Sequence, residues 1–64
     1  MIKINGMYYE IKGISVSDYL IENGYDLNRV AVELNGDILP KRDYETTYFN
    51  DGDSIEIVSF VGGG

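Results

Sequence analysis

A chain of 64 residues that contains neither cysteine nor histidine has to fold without the cross-links on which very small domains commonly depend. A disulfide needs a pair of cysteines, and structural zinc sites are built from cysteine and histidine. Apolar residues make up 44% of the chain, which is too large a share for a disordered segment. We therefore expect one compact domain, stabilised by a sheet and a helix that share a hydrophobic core.

The same composition narrows the possible functions. Histidine and cysteine supply the commonest general base near neutral pH and the commonest nucleophile, and so short a chain has little depth for a substrate pocket of about 300–1,000 Å³. We therefore expect the chain not to be an enzyme. Its formal net charge of −6 disfavours nucleic acid as a partner and favours a basic protein.

Alternation of apolar and polar residues predicts a hairpin at the start of the chain. Ile2 and Ile4 alternate with polar neighbours, Asn5-Gly6 is typical of a two-residue turn, and residues 7–12 are expected to form the return strand. Because this pattern begins at Met1, we expect no signal peptide. No apolar run approaches the roughly 20 residues that span a membrane, so we expect a cytoplasmic protein without a membrane partner.

The next segment has the features of a short helix. Ser15 is a candidate N-cap with Asp18 three residues later, and apolar residues then recur at helical spacing. Gly24 stands where a left-handed C-cap belongs. We predict a helix over residues 16–23 that depends on packing against the sheet, because so short a helix is marginal alone.

Further strands follow the helix. Residues 30–34 alternate as a buried strand, Asn35-Gly36 predicts a second tight turn, and residues 38–39 are expected to form an edge segment that Pro40 ends. Residues 41–49 have no clean period and are predicted to contain one helical turn and an extended piece ending at Phe49. The last strand is predicted over residues 54–61 after a turn at residues 50–53.

This order of elements is typical of a mixed sheet with a helix packed across one face. The predicted fold class is α+β: a mixed four- to five-stranded sheet whose first and last strands are parallel neighbours, as in a β-grasp domain. The pattern alone also fits other α+β topologies. We predict a domain over residues 1–61 and a tail over residues 62–64.

The chain ends in Gly62-Gly63-Gly64, and glycine loses more conformational entropy on ordering than any other residue. We expect a flexible tail, narrow enough to enter a slit in another protein and to present the Gly64 carboxylate there. A carboxylate can attack the α-phosphorus of ATP and form an acyl-adenylate. The partner would bind ATP and Mg²⁺, because this chain has no phosphate-binding glycine-rich loop. The alternative is an inert tail.

The last strand carries a candidate partner surface beside this tail. Ile55 and Ile57 are predicted to face the core, whereas Val58 and Phe60, and with them Val61, face outward as an exposed apolar patch. The alternative is that residues 41–49 fold over the patch and cover it.

Asp51 and Asp53 on either side of Gly52 match part of a calcium-binding loop. The ligand series is incomplete, and no glutamate stands at the position that would complete it. We therefore expect a turn and no metal site.

Three segments of the chain resemble one known family. They are LNGDILPK at residues 34–41, DGDSIEIV at residues 51–58 and VGGG at residues 61–64. In this order and spacing they are similar to the small sulfur carrier proteins of thiamine thiazole biosynthesis, the ThiS family, which is related to the molybdopterin-synthase small subunit MoaD. The resemblance extends over the whole chain.

The resemblance implies a ubiquitin-like β-grasp fold and a role for the C-terminus. Gly64 would be adenylated by an E1-like, ATP-dependent enzyme of the ThiF type and converted to a thiocarboxylate with sulfur from a donor enzyme. A thiazole synthase of the ThiG type would then receive the sulfur. By position, Gly63-Gly64 match the functional terminal pair, and Val58, Phe60 and Val61 lie where such carriers meet their partners.

Other functions remain open at this point. Residues 57–61 contain no proline, whereas MoaD proteins approach their terminal glycines through one, and this difference favours the thiazole pathway. Carriers for molybdopterin or cysteine synthesis share the fold and the tail. A non-covalent ubiquitin-like interaction module with an inert tail is the alternative from a different class.

Overall fold

The computed structural model describes residues 1–60, which form a mixed five-stranded sheet crossed on one side by an α-helix. In chain order the elements are β1 (Ile2–Ile4), β2 (Met7–Tyr9), α1 (Val16–Glu22), a 3-10 turn (Leu27–Arg29), β3 (Val30–Leu34), β4 (Asp37–Leu39), a second 3-10 turn (Lys41–Asp43) and β5 (Ser54–Ser59).

The last strand occupies the middle of the sheet. The strand order is β2-β1-β5-β3-β4, with β5 parallel to β1 and antiparallel to β3. The two hairpins, β1–β2 and β3–β4, therefore lie on opposite sides of β5. The predicted mixed sheet with parallel first and last strands is confirmed, and its topology is that of a β-grasp domain.

The hydrophobic core lies between one face of the sheet and α1. Val16 and Leu20 of the helix are buried, as are the inward residues of the strands: Ile2, Ile4, Val30, Val32, Ile55 and Ile57. Tyr44 and Phe49 complete this core. The rings of Tyr19 and Phe49 meet edge to face, with their centroids 5.5 Å apart, and close the core at its margin.

The predicted turns and caps are present. Asn5 and Asn35 have positive φ values of 50° and 52°, and the glycine after each also has positive φ, as this type of two-residue hairpin turn requires. The Ser15 hydroxyl accepts a hydrogen bond from the Asp18 backbone N–H at 3.0 Å and so caps α1. At the other end of the helix, Gly24 has the left-handed φ of 80°.

Two strands are shorter than the sequence predicts. The return strand ends at Tyr9 instead of reaching residue 12, because its partner β1 has only the residues Ile2–Ile4 available for pairing. The β1–β2 pairing ends at Ile2 with Tyr9. The residue before it, Met1, uses its carbonyl to accept a hydrogen bond from the Gly52 N–H at 2.9 Å. The last strand ends at Ser59, two residues earlier than predicted, though the predicted position of Val61 lies outside the described residues.

Smaller differences concern single residues. The helix ends at Glu22, and Asn23 serves as its C-cap, so the predicted boundary is one residue too late. The alternation in β3 predicts burial of Val30, Val32 and Leu34, but Leu34 is only half-buried, because it stands at the end of the strand beside the exposed turn. The helical turn predicted near Asp43 is present as the 3-10 turn Lys41–Asp43.

Two adjacent residues of α1 provide a test of this packing. Leu20 is fully buried, whereas Ile21 is 59% exposed. We predict that Leu20→Ala lowers the free energy of unfolding by about 2–5 kcal/mol, because it leaves a cavity in the only core of the described domain. Ile21→Ala is expected to change it by about 0.5 kcal/mol or less. Urea denaturation measures both variants, and equal losses would contradict the placement of the helix.

Candidate partner-binding face

The side of the sheet opposite α1 is open, and we call it the helix-free face. Strand register defines it, because directly paired residues share one face: Val58 pairs with Ala31, Glu56 with Glu33, Glu33 with Ile38, and Lys3 with Tyr8. In β5 the inward Ile55 and Ile57 are buried. Glu56, which lies between them, and Val58, which follows Ile57, therefore face outward.

Val58 and Phe60 lie on or directly beside this face and are exposed. The exposed fraction is 57% for Val58 and 47% for Phe60, against 7% for the neighbouring inward residue Ile57. The Phe60 N–H donates to the Arg29 carbonyl at 2.9 Å, so the backbone remains anchored to the start of β3. The prediction that Val58 and Phe60 form an exposed apolar patch is therefore confirmed as to their exposure.

The alternative that residues 41–49 cover this patch is wrong. The segment packs on the other side of the sheet, where Tyr44 and Phe49 enter the core. Its backbone is attached to the helix there: the Val16 N–H donates to the Thr47 carbonyl at 2.8 Å, and the Ser17 N–H donates to the Tyr44 carbonyl at 3.0 Å. Tyr44 and Phe49 are buried in that core, and Val58 and Phe60 stay exposed on the opposite side.

Asn5 holds the second half of β5 in register. The Ile57 N–H donates to Asn5 Oδ1 at 2.7 Å, and Asn5 Nδ2 donates to the Ile57 carbonyl at 3.2 Å. Because β1 ends at Ile4, the side-chain amide takes the place of the next backbone pairing. The first turn of the chain thus fixes the part of β5 that carries Val58.

Asn35 and Asp53 fix the beginning of the same strand. The Ser54 N–H donates to Asn35 Oδ1 at 2.8 Å, and the Asn35 N–H donates to the Ser54 carbonyl at 2.7 Å. Asp53 Oδ1 accepts from Asn35 Nδ2 at 3.0 Å, and its Oδ2 accepts from the Asn50 N–H at 2.8 Å. One carboxylate oxygen of Asp53 thus closes the predicted turn at residues 50–53, and the other holds the Asn35 side chain in place. Within residues 1–60 no cluster of acidic side chains has the arrangement of a metal site.

The other side of the molecule has a shallow cavity of about 440 Å³, lined by Ser17, Leu27, Lys41, Arg42, Tyr44 and Glu45. Lys41 donates a hydrogen bond to the Asn28 side chain.

Burial raises the pKa of the Tyr44 phenol above its ordinary value, because it disfavours the phenolate. Burial likewise raises the pKa of Tyr19, with Tyr9 and Tyr25 adding to the effect. Both phenols are therefore neutral at physiological pH and supply no base.

The predicted tail and one residue of the predicted patch lie outside the described residues. They are Val61, Gly62, Gly63 and Gly64, and the predictions made for them stay predictions. Within the described part of the chain, no helix is long and apolar enough to cross a membrane.

Two features of this region go beyond what the sequence predicts. Asn5 is predicted as a turn residue, but its side chain also bonds to Ile57. Glu33 and Glu56 lie directly opposite each other, which depends on the register of β3 and β5. The signal for the first was present, since an asparagine at the end of a very short strand can replace a missing backbone pair.

The described residues thus define a ubiquitin-like β-grasp domain with one covered and one open sheet face. A family model described as "ThiS family" matches residues 2–64, which is nearly the whole sequence. The chain belongs to the ThiS family.

Solved structures agree with this assignment. The crystal structure of the thiamine biosynthesis protein ThiS from Geobacter metallireducens superimposes with a TM-score of 0.77 at 31% identity, covering 98% of this chain and 97% of that one. An NMR solution structure of a thiamine biosynthesis protein from the same organism gives a TM-score of 0.74.

Curated relatives are of two kinds. A thiazole synthase from Paramagnetospirillum magneticum is 49% identical over 51 residues, which are 80% of this chain but only 16% of that protein. The chain therefore matches one segment of a much longer relative. The uncharacterized protein ycf40 of Porphyra purpurea is 40% identical over 65 residues, covering 98% of this chain and 90% of that protein.

Neighbouring residues of β5 test the assignment of the two faces. We predict that Val58→Thr changes the free energy of unfolding by no more than about 0.5 kcal/mol, because the side chain stays in contact with water. Ile57→Thr is expected to cost about 2 kcal/mol or more, because it removes core volume and buries a hydroxyl. Chemical denaturation compares the two variants, and a larger loss for Val58→Thr would reverse the faces.

Proposed function

We propose that this chain is a sulfur carrier of thiamine biosynthesis whose Gly64 carboxylate is the reactive group. Membership of the ThiS family supports the carrier role and the pathway. The observation that carries the proposal is the placement of β5: this central strand exposes Val58, the exposed Phe60 follows it, and in the sequence only Val61 separates Phe60 from the terminal glycines. A partner that covers these side chains is positioned to receive the C-terminus.

The proposed chemistry takes place in partner enzymes. In an E1-like activating enzyme of the ThiF type, a Gly64 carboxylate oxygen attacks the α-phosphorus of ATP, and pyrophosphate leaves with the electrons of the broken P–O bond. A hydrosulfide ion supplied by a donor enzyme then attacks the carbonyl carbon of the adenylate, AMP leaves with the electrons of the broken C–O bond, and the thioacid loses its proton. The resulting thiocarboxylate carries the sulfur. The partner binds ATP and Mg²⁺, so this chain acts as a co-substrate and not as the catalyst.

The second proposed partner is a thiazole synthase of the ThiG type, which accepts the sulfur for the thiazole ring. The segment of 51 residues within the Paramagnetospirillum magneticum thiazole synthase supports this partner, because it places a similar domain in the same polypeptide as that enzyme. Such a covalent link raises the effective concentration of one partner for the other.

Val58, Phe60 and Val61 are the proposed contact residues for both partners. The exposure of Val58 and Phe60 supports their role, because half-exposed apolar side chains beside the end of a strand gain most from being covered by another protein. Gly62 and Gly63 are proposed as the narrow connection that lets Gly64 reach a nucleotide inside the activating enzyme.

Two alternatives remain distinguishable from this proposal. A carrier for molybdopterin or cysteine synthesis would undergo the same activation but deliver its sulfur elsewhere. The chain is similar to a solved thiamine biosynthesis protein and to a segment of a thiazole synthase, and both similarities favour the thiazole pathway. A non-covalent interaction module would use the helix-free face alone and would leave Gly64 unmodified.

The test is intact-mass spectrometry of the full chain after incubation with ATP, Mg²⁺, the ThiF-type enzyme of the same genome and a sulfur donor. We predict the replacement of one oxygen by sulfur, localised to the C-terminal peptide. An unchanged mass, with an enzyme that activates its own reference carrier, would contradict the carrier function and favour the interaction module.

Two terminal variants serve as controls. Removal of Gly63-Gly64 is expected to leave urea denaturation unchanged and to abolish ATP–pyrophosphate exchange. Addition of one alanine after Gly64 keeps every residue of the chain but displaces the carboxylate, and it should abolish exchange as well. Activation of either variant would show that the reactive group is not the Gly64 carboxylate.

A further inference from the structure

Two glutamates lie directly opposite each other in the middle of the helix-free face. Glu33 of β3 and Glu56 of β5 are cross-strand partners, and both side chains are exposed. Neither belongs to an ion pair among residues 1–60, where the pairs are Met1 with Asp51, Arg29 with Asp26 and Arg42 with Asp43. Lys3, on the same face, instead places its ammonium group 5.8 Å from the ring centre of Tyr8.

This arrangement opposes the stability of the free domain. Like charges directly opposite each other across two strands are destabilising, and β3 and β5 form the longest pairing of the sheet. A cross-strand pair of opposite charge, or of threonines, would stabilise the same position. Within residues 1–60, no ion pair of either glutamate offsets this repulsion.

The surroundings of the pair are apolar toward β4 and toward the C-terminal end of β5, whereas Ser54 and Lys3 lie on the side of β1. Toward the C-terminal end of β5, the next outward pair is Ala31 with Val58, and the exposed Phe60 follows. In β4, the cross-strand partner of Glu33 is the exposed Ile38. A protein that covers this apolar strip also removes water from the two carboxylates. Because burial of unpaired charge is costly, such a partner has to bring a cation to this point.

We propose that the Glu33–Glu56 pair is the acceptor for an arginine side chain of the activating enzyme, and this inference rests on the proposed carrier function. Two neighbouring carboxylates present several acceptor oxygens, and a planar guanidinium offers five donors that can bridge them. A guanidinium is also more weakly hydrated than an ammonium group, so it loses less on entering an apolar contact. The net charge of −6 steers the carrier toward such a basic surface.

The test uses the full chain and the purified ThiF-type enzyme without ATP, so that binding is measured apart from chemistry. Glu33→Gln and Glu56→Gln keep the size of each side chain and remove its charge. We expect each to raise the Kd by about tenfold or more. Glu22→Gln and Glu45→Gln remove the same charge from exposed positions on the helix side and are expected to change the Kd by about twofold or less.

Stability provides the second readout, and it should move in the opposite direction. Relief of the carboxylate repulsion is expected to raise the melting temperature of Glu33→Gln and Glu56→Gln by about 1–4 °C. Weaker binding together with equal or higher stability supports the arginine acceptor. Weaker binding with a lower melting temperature would assign the pair a structural role and overturn the inference, as would wild-type affinity in both variants.

Failure of this inference and failure of the carrier function give different results. If the glutamine variants bind like the wild type while the wild type acquires sulfur, the acceptor is wrong and the carrier function stands. If they lose binding as predicted while the wild type acquires no sulfur, the docking surface stands and the covalent chemistry is wrong.

Discussion

The pairing of β5 with β1 on one side and β3 on the other is the constraint on which the remaining structure depends. A strand in the middle of the sheet has backbone hydrogen bonds on both edges, so its position cannot shift without breaking both hairpins from it. Its inward residues Ile55 and Ile57 are also central to the core beneath α1. A chain without disulfides or zinc ligands obtains its rigidity from this arrangement.

The same arrangement leaves one face of the sheet open. Among residues 1–60, α1 and residues 41–49 cover the face that carries the isoleucines. Asn5 and Asn35 hold the two halves of β5 with side-chain amides, so the open face is fixed by hydrogen bonds as well as by packing. The domain is thus a rigid support whose proposed chemistry belongs to its terminus and to its partners.

Much of the fold could be predicted from local sequence signals. The Asn-Gly pairs set two hairpin turns, Ser15 marked the start of the helix, and the alternation around Ile55 and Ile57 identified the inward face of the last strand. Strand lengths were less accessible, because β2 ends where its partner β1 ends and not where its own pattern ends. The contact of Glu33 with Glu56 could not be predicted, since it depends on register between residues far apart in the chain. The exposure of Phe60 depended on where Tyr44 and Phe49 pack, and residues 41–49 have no periodicity that would indicate it.

We expect the helix-free face, and not the helix side, to contact the proposed activating enzyme. Amide cross-saturation NMR on the labelled full chain, bound to unlabelled ThiF-type enzyme, tests it most directly. We expect strong saturation transfer at Ala31, Glu33, Glu56 and Val58 and little at Val16–Glu22. Transfer concentrated on α1 and on Lys41 and Arg42 would instead place the enzyme on the helix side and contradict binding at the helix-free face.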